Sequence, residues 1–117
     1  MHDHRMARVA NELQQEIARI IHQELKDPTV GFVTITRIEL SKDLRHANVL
    51  FSCLGGDAER AQSQEALDHS ARYIHNLIKK RFRLKIIPEL AFRYDASIAG
   101  VIELSEKLDR LKEGHNP

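Results

Sequence analysis

At 117 residues, 42% apolar and 30% charged, the chain can remove about two thirds of its unfolded surface from water, so one core is expected and the composition excludes disorder across the body of the chain. Eighteen Lys and Arg against seventeen Asp and Glu leave a formal charge of +1, which excludes the overall basicity of many nucleic-acid binders and throws any such function onto where the charges lie. The single Cys53 excludes an internal disulfide, and no apolar run nears the roughly 18 residues needed to span a bilayer, so a cytoplasmic protein that neither crosses nor enters a membrane is expected.

The first four residues, Met1 to His4, are polar and are expected to fray rather than to hold a metal through His2, Asp3 and His4. From Ala7 to Leu25 the residues Val9, Leu13, Ile17, Ile20, Ile21 and Leu25 recur at steps of three and four and predict a helix with one apolar stripe. Pro28 ends it, because the residue before a proline is pushed out of the α region. Phe32 to Leu40 is β-branched and alternating, with a change of phase near Thr36-Arg37 that predicts a bulge. Ser41, Lys42 and Asp43 supply turn chemistry, and Ala47, Val49, Phe51 and Cys53 then alternate with more exposed positions. These two strands are expected to form an antiparallel hairpin.

Gly55-Gly56 breaks the second strand and Asp57 can cap a helix that continues to about Phe82. Beyond Pro88, Leu90, Phe92 and Tyr94 alternate with Ala91, Arg93 and Asp95, giving a third strand with its aromatics on the buried side. Ile98, Val101, Leu104, Leu108 and Leu111 return to helical spacing and predict a last helix. The expected architecture is α+β: a three-stranded sheet covered on one face by helices, forming a single domain over residues 5–113 with flexible termini at 1–4 and 114–117.

One charge asymmetry stands out. Between Asp68 and Glu89 no residue is acidic, whereas Arg72, Lys79, Lys80, Arg81, Arg83 and Lys85 are basic and His69 and His75 lie beside them. Arg72, His75 or Asn76, Lys79 and Arg83 fall on roughly one helical face, opposite Ile74, Leu77 and Ile78. Such a face attracts a phosphate backbone through counterion release and guanidinium forks. The same residues also suit the negative end of a helix dipole, so on the residues alone RNA binding and a plain solvated face weigh about equally. The scattered His residues show no metal-ligand spacing, Cys53 reads as a small core thiol, and no P-loop or nucleophile-and-base arrangement is present, so neither metal, cofactor nor catalysis is expected.

Leu25-Lys26-Asp27-Pro28 followed by Gly31-Phe32-Val33-Thr34-Ile35-Thr36, then Leu40-Ser41-Lys42-Asp43-Leu44, and later Arg81-Phe82-Arg83-Leu84-Lys85 with Ile87-Pro88-Glu89-Leu90 and Asp95-Ala96-Ser97-Ile98, resemble segments of the ribosome-binding factor A family in wording, order and spacing. The resemblance implies a type II KH-like fold in which a helix-kink-helix replaces the GxxG loop of an ordinary KH domain. It implies a non-catalytic factor that binds free small ribosomal subunits and their rRNA, supports maturation of the rRNA 5′ region, and matters most in the cold. The family's kink reads Ala-x-Gly where this chain has Ser70-Ala71-Arg72, and a bend is expected there because a straight 25-residue helix, about 37 Å long, would overhang a small sheet. The RNA-binding residues expected are Arg72, His75, Lys79, Lys80, Arg81, Arg83 and Lys85. The chain is expected to act as a monomer; the alternative is an adaptor domain that recruits another assembly factor such as a GTPase.

Overall fold

The computed structural model describes residues 2–97. Apolar residues at helical steps build α1, His2–Arg19, and bury Leu13 and Ile17 completely. Its backbone takes in residues 2–4, expected to fray, because neither Gly nor Pro interrupts the helix there. Over Ile20–Glu24 the turn widens into a π-helix, closed by the Leu25 N–H donating to the Ile20 carbonyl at 2.9 Å. The adjacent Ile20 and Ile21 are both buried, and Leu25 then leaves the helix in an extended conformation. Asp27 caps a short 3-10 turn over Pro28–Phe32, accepting from the Thr29 N–H at 2.9 Å. The expected last helix, from Ile98 to Leu111, and the terminus at 114–117 lie outside the described residues.

The hairpin forms as expected from β1, Val33–Leu40, and β2, His46–Cys53. Its register steps between Ile35 and Arg37, so Thr36 is the extra residue of a bulge. Gln14 of α1 donates to the Ile35 and Thr36 carbonyls at 3.2 and 3.3 Å, satisfying acceptors at the irregularity. In the hairpin loop the Ser41 hydroxyl donates to Asp43 at 2.7 Å and the Arg45 N–H donates to the same carboxylate oxygen at 3.0 Å. This bonding holds the Asp43 carboxyl below the usual carboxylate range. The loop places Leu44, a non-glycine, at φ 63°, a left-handed conformation that costs about 1 to 3 kcal/mol. Gly55 sits at φ 108°, and a Cβ there would lie 2.6 Å from Glu59 Cγ, so only glycine lets the chain turn into the next helix.

That helix, α2, spans Asp57–Arg81 without interruption. The expected division into two helical segments at Ser70-Ala71-Arg72 is absent, and the helix-kink-helix is corrected to one 25-residue helix. Leu67 before that segment and Ile74 and Ile78 after it are all fully buried, so the apolar stripe is covered without a break. In the absence of a glycine, nothing interrupts the i to i−4 ladder. α2 serves as the crossover to β3, Glu89–Tyr94, which pairs parallel with β2 and gives the sheet order β1-β2-β3. The helices cover one face, where Phe51, Leu13, Ile17, Ile74, Ile78 and Phe92 form the centre of the core. Tyr94 meets Phe51 edge to face at 5.9 Å and carries the Arg60 guanidinium 3.9 Å above its ring. Cys53 is half-buried at the margin of this core.

Two long-range contacts fix the C-terminal end of α2. Arg81 grips Glu24 bidentately, with both bonds at 2.7 Å, and reaches Glu16 at 2.9 Å, while Arg19 donates through Nε to Glu16 at 3.0 Å. The hydrogen bonds from Arg19 and then Arg81 lower the Glu16 carboxyl pKa, and Arg81 lowers that of Glu24. On the other side His75 is buried, with Nδ1 2.9 Å from the carbonyl of the fully buried Pro88. A carbonyl only accepts, so His75 Nδ1 carries the proton and donates.

Folding depresses both carboxyl pKa values, so their contribution is complete above the unfolded range and is lost as pH falls through the folded values. Arg81→Gln should therefore lower the melting temperature at neutral pH by a few degrees, and the gap to the parent should close as the pH is taken down through and below the ordinary carboxylate range; circular-dichroism melts at a series of acid pH values check it. His75→Leu should reduce unfolding free energy by about 1 to 3 kcal/mol, because it leaves the buried Pro88 carbonyl without its donor. Urea denaturation measures this, and an unchanged midpoint would show that the bond carries no net stability.

Candidate nucleic-acid interface

The basic run at the end of α2 has its counterpart in an acidic beginning, with Asp57, Glu59, Glu65 and Asp68 in the first half of the helix and none from His69 to Arg81. This polarity suits the macrodipole. It also leaves one end of the helix with no carboxylate of its own to neutralise its cations. At about 100° per residue Arg72 and Lys79 fall within some 20° of each other, as do Tyr73 and Lys80. All four are exposed, Tyr73 by 49%, and the exposed His69 and Asn76 lie between the two rows. Cations flank an aromatic ring, the combination that holds a nucleic-acid backbone while a base stacks on the ring.

The seven residues expected from the sequence do not form one surface. Arg72, Lys79 and Lys80 are together on the exposed face of α2. Arg72 approaches a carboxylate only at 3.9 Å, that of Glu89, and both side chains are exposed, a pairing worth little. His75 is corrected from the solvent side to the interior, since its ring is turned to Pro88; its place beside Ile74 carries it past the edge of the exposed face. Arg81 is corrected as well: its guanidinium binds Glu16 and Glu24, so an anion would have to displace two carboxylates.

Arg83 and Lys85 lie beyond the helix end. With Arg5 of α1 and Lys42 of the hairpin loop they ring a separate cleft of about 570 Å³. Its apolar lining comes from Met6, Val9, Leu44, Leu84 and Ile86. Sequence reasoning missed Arg5, Lys42 and Tyr73. An exposed tyrosine one residue after Arg72 was a usable local signal, whereas Arg5 and Lys42 become neighbours of Lys85 only through the fold.

Among the described residues no group of three or more His, Cys, Asp or Glu side chains is placed to hold a metal ion, and no helix is long and apolar enough to cross a membrane. The arrangement is suited to electrostatic binding with stacking.

Residues 5–108 match the family described as ribosome-binding factor A. A ribosome-binding factor A of Burkholderia cenocepacia is 41% identical over 86% of this chain and 75% of its own length. One from Heliobacterium modesticaldum is 40% identical over 99% of this chain and 95% of its own. Among solved structures, the crystal structure of ribosome-binding factor A from Thermus thermophilus aligns with a TM-score of 0.67 and 25% identity over 75% of this chain and 93% of that one. A homology model of the Thermus factor fitted into a cryo-EM map of its 30S complex gives a TM-score of 0.61 at 25% identity, over 75% and 92% of the two chains. The shared three-stranded sheet and helices thus come with a sequence match across nearly the whole chain, and the chain belongs to the ribosome-binding factor A family.

Proposed function

We propose that this protein is a non-catalytic assembly factor that binds the free small ribosomal subunit through its rRNA, using the exposed face of α2. The observation that carries the reading is that Arg72, Lys79 and Lys80 share one surface with the exposed ring of Tyr73, with no acidic residue from His69 to Arg81. The 30S complex of the Thermus relative supports the partner. Family membership supports an expected role in maturing the 5′ region of small-subunit rRNA and in growth in the cold, acting in the cytoplasm as a monomer. RNA is favoured over duplex DNA because a long helix on a sheet lacks a helix-turn-helix reading head.

An adaptor role, recruiting a further assembly factor such as a GTPase, is favoured by one different feature. Phe32 and Leu54 are exposed by 66% and 71% and border the same shallow hollow of about 320 Å³, an apolar patch suited to a protein partner.

The protein should co-sediment with free small subunits and be largely absent from whole ribosomes. Reversing Arg72, Lys79 and Lys80 together to Glu should leave the fold intact, since all three are exposed. If each meets a phosphate, the slope of log affinity against log salt should fall by about 2 to 3, at 0.7 to 0.9 per contact. Filter binding to small-subunit rRNA between low and high salt checks this; an unchanged affinity and slope would reduce the face to a solvated surface.

A further inference from the structure

We infer that the cleft between the start of α1, the hairpin loop and the segment after α2 is a second RNA site that holds one unpaired nucleotide of a single strand. The inference rests on the RNA-binding reading above and adds a place and a substrate class to it. Four cations, Arg5, Lys42, Arg83 and Lys85, ring the cleft, and no acidic residue is among those lining it. Among the described residues none of the four is paired with a carboxylate. The rim is therefore complementary to phosphate.

The floor argues against a bare anion or an intact duplex. Met6, Val9, Leu44, Leu84 and Ile86 present apolar surface, which a free phosphate would leave unused. In a double helix the bases are stacked inside the phosphate rails and cannot reach such a floor, whereas an unstacked nucleotide offers an anionic backbone and an apolar ring together. The volume, about 570 Å³, lies within the range of small-molecule sites and is ample for one nucleotide.

Leu44 is an independent sign. Its φ of 63° is a backbone conformation that a branched apolar residue rarely adopts, yet the Ser41 and Asp43 bonds hold the loop in the shape that puts Leu44 on the cleft wall. Strain of this kind gathers at ligand sites. The rim side chains are all donors suited to phosphate, and no carboxylate or amide side chain lines the cleft to accept from a base edge, so it is not built to select one base.

The test uses the full chain, unstructured RNA oligonucleotides, a blunt RNA duplex of equal length and small-subunit rRNA. The parent protein should prefer the single strand, with no difference between homopolymers. Photo-crosslinking with 4-thiouridine-substituted strands should label peptides containing residues 42–44 or 83–86. Arg5→Gln, Lys42→Gln and Lys85→Gln combined should lower the salt slope on single strands by about 1.4, at 0.7 for each of the two phosphates that flank one nucleotide. Ile86→Ser, which leaves charge untouched at a residue 37% exposed, should weaken single-strand binding about fivefold through lost apolar contact and leave duplex binding unchanged. Equal affinity for single strand and duplex, a silent Ile86→Ser, or crosslinks confined to residues 72–80 would overturn the cleft and leave the α2 face standing. Failure of the parent protein to bind small-subunit rRNA at all would overturn both.

Discussion

The placement of Arg83 and Lys85 depends on how the C-terminal end of α2 is held. Arg81 fastens it to α1 and the π-turn through Glu16 and Glu24, and His75 fastens it to the returning chain through Pro88. Were the end free, Phe82 to Pro88 would be a loose tether and Arg83 and Lys85 would have no defined neighbours. Held on both sides, the segment is laid across the start of α1 and against the hairpin loop, and the cleft is the space enclosed. Two side chains inside the basic run thus work for the fold so that the others can face solvent in a fixed arrangement.

This division also explains how a chain with a net charge of +1 can address a polyanion. Its acidic groups are not spread evenly over the surface. Glu16 and Glu24 are spent on Arg19 and Arg81, Asp43 on its own loop, and Asp95, nearly buried, accepts from the hydroxyls of Ser97 and Thr36, bonds that hold its carboxyl below the ordinary carboxylate range. The remaining acids of α2 gather in its first half. What is left at the far end is locally cationic, and at physiological ionic strength charges act over about 8 Å, so the local surface matters more than the total.

Features set by neighbouring residues were legible in the sequence. The hairpin, the third strand and the bulge at Thr36 follow from alternation and its change of phase, which are properties of a few consecutive side chains. The unbroken α2 was not legible, because the argument for a bend came from the expected size of the whole domain. The family's glycine, the one local cause of a bend, is missing here. His75 and Arg81 were misplaced for a related reason: a helical wheel assigns azimuth but cannot know that a carbonyl from residue 88 or two carboxylates from residues 16 and 24 wait at that azimuth. Of the candidate interface, the cationic stretch could be read from the sequence and its division into an α2 face and a cleft could not.

The parallel pairing of β2 with β3 sets the order in which such a chain can reach its native state. The β1-β2 hairpin closes a short loop, whereas joining His46 to Glu89 closes one of some forty residues, whose entropy is recovered only if α2 has already shortened the path. During synthesis the hairpin and α1 emerge first and cannot complete a core, because Phe92 and the covering stretch of α2 are still to come. Closure is therefore a late, concerted event. The hydroxyl of Thr36, donating to Asp95 across the width of the sheet at 2.6 Å, is a latch that can engage only after the last strand has docked.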